Sequence, residues 1–235
     1  MRRRGAAVAL LSGGLDSVVA CALSHREGGV ALAITFDYGQ AARESEARAA
    51  RAAARHMDVP WKLVALPWLR GLLPPEMSGR ADPPRASRPD LDDPGRAAER
   101  ARAVWVPNRN GVFVNVAAAF AEGMGCRRVV AGFNREEAAA FPDNSAEFMG
   151  RATAALALST LSGVAVESPT AAWDKAEIVR RGIEVGAPLR LVWSCYRGGS
   201  RTAKMCGRCE SCARLVRALE TARAPREAWP VALPR

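Results

Sequence analysis

Leu11-Ser12-Gly13-Gly14-Leu15-Asp16-Ser17 decides the fold. Ahead of it, Ala6 to Leu10 is a short apolar run bounded by charge, the pattern of a strand buried in a parallel sheet. Behind it, Val18, Val19, Cys21, Ala22 and Leu23 continue as an apolar helix that Gly28-Gly29 stops. A strand, a Gly-Gly turn and a helix N-terminus make an anion site. Backbone without side chains lets N–H groups approach phosphate, and the helix dipole adds to the attraction. No Gly-Lys-Ser/Thr follows the glycines, so this is not a P-loop, and the dinucleotide spacing Gly-x-Gly-x-x-Gly is absent. The bland alternative is an ordinary strand-to-helix turn with two glycines.

Outward from this run the periodicity alternates. Val30 to Phe36 is a second buried strand, ending in Asp37-Tyr38-Gly39-Gln40 at the carboxyl edge where doubly wound sheets bind ligands. Ala41 to His56 is helical, Asp58-Val59-Pro60 breaks it, and Lys62 to Leu66 is a third strand. Arg128 to Gly132 and Val164 to Pro169 are the remaining strands. Helices are predicted for Val112 to Glu122 with Asn110 as cap, for the stretch from Ser145 to Leu158, and for Lys175 to Val185 between Asp174 and Gly186. This is an α/β chain with a doubly wound, mainly parallel sheet. Residues 1–190 are expected to form the nucleotide-binding domain, interrupted by a Pro/Arg-rich insertion at about 70–102 that reads as a long loop or lid, and 191–235 a small cysteine-bearing segment.

The bulk properties set bounds. With 235 residues, 49% hydrophobic and 25% charged, the chain builds one sizeable globular core. No apolar run approaches the ~18 residues of a membrane span, and Met1-Arg2-Arg3-Arg4 opens no long leader; the expectation is a cytoplasmic protein without a membrane partner. The net charge of +10 rests on arginine, with Lys62, Lys175 and Lys204 the only lysines. An anionic small substrate accounts for part of this excess, and a nucleic-acid partner is the alternative.

Arg109, just before a buried helix, presents a planar fork suited to phosphate or carboxylate; a surface arginine is the alternative. Lys175 opposes the dipole at its helix start, which points to a ligand or to simple solvation. Cys206, Cys209 and Cys212 stand at successive spacings of three, with Cys195 upstream. Four thiolates in a reducing compartment suggest a tetrahedral four-cysteine zinc site that staples a Gly-rich tail; an iron–sulfur cluster and disulfides are the alternatives. Cys21 and Cys126 read as buried thiols, and His25 and His56 as isolated surface residues.

The run Ser12 to Ser17 resembles the loop of the ATP-pyrophosphatases, whose fold is adenine nucleotide α-hydrolase-like. Taken with Phe36-Asp37-Tyr38-Gly39-Gln40, Val106-Pro107-Asn108-Arg109-Asn110-Gly111, Lys175 to Val179, Trp193-Ser194-Cys195-Tyr196 and the cysteines, the chain resembles the 7-cyano-7-deazaguanine synthase family of the queuosine pathway. The resemblance implies conversion of 7-carboxy-7-deazaguanine and ammonia to the nitrile, with ATP activating the carboxylate and then an amide intermediate. It implies that Leu11, Ser12, Gly13, Gly14, Leu15, Asp16, Ser17, Phe36, Tyr38 and Gln40 bind ATP, with Asp16 reaching it through Mg2+. Asp16, Arg109 and Lys175 are the implied catalytic residues, Cys195, Cys206, Cys209 and Cys212 the implied Zn2+ ligands, and a homodimer the implied assembly. Asn134-Arg135-Glu136-Glu137, Ala139 to Asn144 and Asp174 depart from the family pattern and are expected at the acceptor pocket rather than at the ATP loop. The rival reading is a divergent member with another acceptor, in RNA modification or phage defence.

Overall fold

The computed structural model describes residues 6–87, 89–198 and 204–234, so the opening Met1-Arg2-Arg3-Arg4 lies outside it. β1 (Ala7–Leu10) leads through the Gly-Gly turn to α1 (Leu15–Glu27), β2 (Val30–Asp37), α2 (Arg43–His56) and β3 (Trp61–Ala65). The insertion carries α3 (Pro75–Ser78) and α4 (Pro94–Ala103). There follow α5 (Arg109–Gly123), β4 (Arg128–Val130), α6 (Arg135–Ala138), α7 (Ala146–Ser159), β5 (Ala165–Glu167), α8 (Lys175–Val185) and α9 (Glu210–Thr221).

Every strand pairing is parallel and the order is β3-β2-β1-β4-β5. The doubly wound sheet is therefore as the alternation predicts. Its order reverses between β1 and β4, so a crevice opens beyond their carboxyl ends, where the turns into α1 and α6 diverge.

Alternation along β1 sorts the core. Ala7, Ala9 and Leu11 pack with Val18 and Val19 of α1, Ala50 and Ala53 of α2, Ile178 of α8 and Leu215 of α9. Ala6 and Val8 face the opposite layer, with Val114, Ala117 and Ala121 of α5 and Leu156 of α7. Trp193, Cys195, Met205, Cys209 and Cys212 belong to the first of these cores, so the cysteine segment is continuous with the sheet's own packing. β3 is the edge, which is why Lys62 and Leu63 are exposed.

Two local expectations change. The helix expected from Val112 starts at Arg109, and Asn110 is inside it rather than capping it. The chain turns earlier than expected, at Asn108, whose φ of 52° is a left-handed conformation that asparagine tolerates. A Cβ on Gly111 would sit 2.1 Å from Oδ1 of Asn108, so the glycine makes that turn possible. Asn110 is freed for another task and donates its amide to the Asp143 carbonyl at 3.3 Å. Within the insertion, α4 is a regular helix where composition suggested a loop. Asp93 caps it by accepting the Arg96 N–H at 3.1 Å, and the proline at the first turn needs no partner for its missing N–H.

Candidate functional site

The turn after β1 is shaped by the absence of side chains. Gly13 has φ +84°, and a Cβ there would lie 2.8 Å from Ala50 N and Glu46 O of α2. Gly14 precedes α1 with no side chain capping that helix, so the first N–H groups of α1 are left for a ligand. Ser17 Oγ, 3.2 Å from Ser12 N and 3.1 Å from Gly14 O, ties the loop closed, and Trp193 N–H donates to Gly13 O at 2.9 Å. From β4, Gly132 comes so near that a Cβ would fall 2.5 Å from Ser17 N.

The crevice has two lobes of about 220 and 230 Å³ that share Ser12, Gly14, Asp16, Glu46, Arg109 and Tyr196. The first continues to Leu15, Lys175, Glu137, Trp105, Phe141 and Asp143. The second continues to Leu11, Ser17, Phe36 and Tyr38, where Phe36 stacks on Phe113 with centroids 4.2 Å apart. Of the residues expected to bind ATP, Gly13 and Gln40 line neither lobe: Gly13 is packed on α2, and Gln40 lies behind the site. Gln40 is buried, accepts from Tyr38 N at 3.0 Å and donates to Glu46 at 2.8 Å, so it positions the loop after β2.

Charge in the crevice converges on Lys175. Its Nζ lies 2.7 Å from Asp16 Oδ2 and 3.0 Å from Glu137 Oε1. Burial alone would lower its pKa, but the two carboxylates outweigh burial and hold the ammonium protonated above the ordinary lysine range. Burial likewise works against Glu137, and Lys175 pulls that carboxyl below its usual range. Asp16 goes the other way: burial raises it beyond what Lys175 offsets. Its second oxygen, Oδ1, is buried with no hydrogen-bond partner, a hard anionic donor of the kind Mg2+ takes.

Glu136 and Glu137 were expected only as part of a stretch at the acceptor pocket, because nothing local marks their individual roles. Glu136 accepts the Lys175 N–H at 2.9 Å and meets Arg217 at 2.8 Å and Arg214 at 3.5 Å. Arg214 in turn reaches Glu210 at 2.8 Å, and Glu210 reaches Arg100 of α4 at 3.2 Å. Asp174 caps α8 through Glu177 N at 2.8 Å and pairs with Arg135 at 3.1 Å. The departures at 134–137 and Asp174 thus fall together around Lys175, at the lobe that Phe141, Asp143 and Asn144 of the other departing stretch also line. Residues brought to one place by α6 and α8 can compensate one another there.

Arg109 opens α5 inside the crevice. Burial disfavours its charge, but Tyr38 and Asp143 nearby outweigh that and raise it. Burial pushes the Tyr38 phenol up to about 12 and the Glu46 and Asp143 carboxyls above their usual range, with Arg109 opposing all three.

The four expected cysteines gather with their sulfurs within 4.8 Å of one another. Cys206 to Cys212 is 3.9 Å and Cys195 to Cys209 is 4.0 Å, close to the roughly 3.8 Å edge of a tetrahedron built on 2.3 Å Zn–S bonds. Cys209 N–H points at Cys206 Sγ, 3.2 Å away, around Gly207 with φ +71°. The spacing suits one ion rather than a multi-iron cluster. Cys21 and Cys126 are buried free thiols away from this group, as expected, and burial pushes Cys21 up to about 12.

The model of the family described as "Queuosine biosynthesis protein QueC" matches residues 6–223. A 7-cyano-7-deazaguanine synthase from Desulforudis audaxviator (strain MP104C) is 53% identical over 215 residues, covering 92% of this chain and 96% of the relative. The enzyme of that name from Pelotomaculum thermopropionicum is 50% identical over 216 residues, with 92% and 96% covered. That from Bdellovibrio bacteriovorus is 43% identical over 225 residues, with 94% and 96% covered.

Proposed function

The chain belongs to the family of queuosine biosynthesis protein QueC, and from that membership and the crevice we propose that it makes 7-cyano-7-deazaguanine from 7-carboxy-7-deazaguanine, ammonia and ATP. It is an enzyme of queuosine precursor synthesis. The observation that carries the ATP-dependent ligase reading is the Lys175–Asp16 pair at 2.7 Å, set at an uncapped helix N-terminus.

A carboxylate is a poor electrophile. Transfer of AMP to one of its oxygens, with pyrophosphate leaving, makes that oxygen a leaving group; ammonia then displaces AMP to give the amide. A second adenylation of the amide oxygen and loss of AMP with two protons leaves the nitrile. The loop from Ser12 to Ser17 and the first turn of α1 receive the pyrophosphate portion through backbone N–H groups. Lys175, kept charged by Asp16 and Glu137, faces the charge that develops on the phosphates. Arg109 is placed to orient the substrate carboxylate beside it. The lobe lined by Phe36 and Tyr38 takes the adenosine. Mg2+, when bound, neutralises phosphate charge, and Asp16 Oδ1 is the oxygen of this chain that would hold it. Zn2+ on Cys195, Cys206, Cys209 and Cys212 would be structural, since four thiolates close its coordination.

No helix among the described residues is long and apolar enough to cross a membrane, and a homodimer acting in the cytoplasm completes the proposal. The test is incubation with MgATP, ammonium and 7-carboxy-7-deazaguanine beside Asp16→Ala, read by mass spectrometry. Amide and then nitrile are expected from the wild type only; AMP release without nitrile would mean a different acceptor.

A further inference from the structure

A crevice that must receive a polyphosphate and a carboxylate is lined by four acids: Asp16, Glu46, Glu137 and Asp143. Three are accounted for. Asp16 and Glu137 share Lys175, and Glu46 accepts the Gln40 amide at 2.8 Å. Asp143 is different. The adjacent Asn144 amide reaches its Oδ1 at 3.2 Å and the Asn110 backbone N–H supports it, but no cation forms an ion pair with it among the described residues. Arg109 is near enough to be felt and not near enough to pair. The Asn110 side chain also fixes the Asp143 carbonyl at 3.3 Å, so the carboxylate is held in place from the α5 side. A carboxylate left this way among anionic ligands is costly unless a ligand brings donors to it.

Beside it stand two rings. Trp105 and Phe141 have centroids 6.1 Å apart and planes within 10° of each other, and both line the lobe that holds Asp143. Together they make an apolar aromatic wall to the lobe that holds the carboxylate.

We propose that Asp143 reads the ring N–H and exocyclic amino group of a guanine-type heterocycle lying along the Trp105–Phe141 wall, and so selects a 2-amino-4-oxo ring as acceptor. The inference rests on the functional reading above. Those two donors point the same way at a spacing that matches the two oxygens of a carboxylate, as a guanidinium does. The flat ring gains stacking on the aromatic wall. Neither Asp143 nor the rings hold phosphate, which separates this role from the ATP site.

The test uses the full-length enzyme with MgATP and ammonium, comparing 7-carboxy-7-deazaguanine with its analogue lacking the 2-amino group. The wild type is expected to favour the amino-bearing substrate by about 100-fold or more in kcat/KM, since a site built to hydrogen-bond a group leaves its own polar atom unpaired without it. Asp143→Asn is expected to lose about 100-fold on the true substrate, to discriminate between the two by less than about fivefold, and to keep its KM for ATP. Phe141→Ala is expected to raise KM for both compounds alike. An Asp143→Asn enzyme that still discriminates as the wild type does overturns the proposal, as does a wild type that treats the two compounds equally. If the wild type makes no nitrile at all, the functional reading fails. Calorimetric titration with 7-cyano-7-deazaguanine then decides the inference separately: binding that Asp143→Asn abolishes supports it, and binding that the variant retains, or none by the wild type, overturns it.

Discussion

Lys175 Nζ sits 2.7 Å from Asp16 Oδ2 across 159 residues of sequence, and the other oxygen of that aspartate is buried without a partner. One carboxylate therefore holds the cation of the site with one atom and keeps the second available. Removing Lys175 leaves two buried carboxylates uncompensated, whereas removing Asp16 leaves Lys175 to Glu137 alone. Lys175→Met is expected to lower kcat by about 100- to 1000-fold, as loss of a preorganised charge at a transferring group does. It is also expected to cost about 3–5 kcal/mol of stability, because Asp16 and Glu137 would then face each other unneutralised. Denaturant unfolding beside steady-state kinetics checks both.

The same cluster gives stability a pH dependence of known sign. Glu137 is held below its usual 4.5 in the folded chain, so it contributes stability above that value, and the contribution drains away as pH falls through the lower folded value. The difference in unfolding free energy between the wild type and Glu137→Gln should therefore be full near neutrality and shrink with acidification below about pH 4.5. A gap that widens on acidification would contradict the assignment.

Gly13 is demanded twice, by φ +84° and by the 2.8 Å approach to Ala50 N and Glu46 O. Gly13→Ala is expected to cost about 1–3 kcal/mol in backbone strain alone, and to weaken ATP binding by displacing the loop from α2. Nucleotide titration by calorimetry, with Gly29→Ala as the comparison, separates the two effects: Gly29 also has positive φ, but a Cβ there meets nothing within 4 Å.

The cysteine group predicts one bound zinc per chain, released by chelators or by Cys209→Ser with loss of the segment's fold. Arg214→Ala is expected to leave that zinc in place and yet lower turnover about tenfold, since Arg214 steadies Glu136, which accepts the Lys175 N–H. Metal content by atomic emission and kcat measured on the same samples test this.

The glycine turn was legible because its constraints are local: a buried strand, two glycines and an apolar helix within one short run. The cysteine group was legible for the same reason, from its repeated spacing, and the sheet from the alternation of periods. Glu137 and Asp143 were legible only as members of stretches expected at the acceptor pocket, and Glu46 not at all. Their roles come from helices and turns that the topology brings to one crevice, and a glutamate in a helix carries no mark of what will face it. The misplaced cap at Asn110 has a similar origin. Both Asn108 and Asn110 suit a helix start by composition, and only the backbone turn at Asn108 decides between them. In the insertion, prolines masked a capped helix whose Arg100 is used far away, on Glu210.

Trp193 N–H on Gly13 O ties the glycine turn to the segment that carries the cysteines. A proteolytic cut between α8 and Cys195 is therefore expected to loosen the Ser12–Ser17 turn as well, although the cut lies far off in sequence.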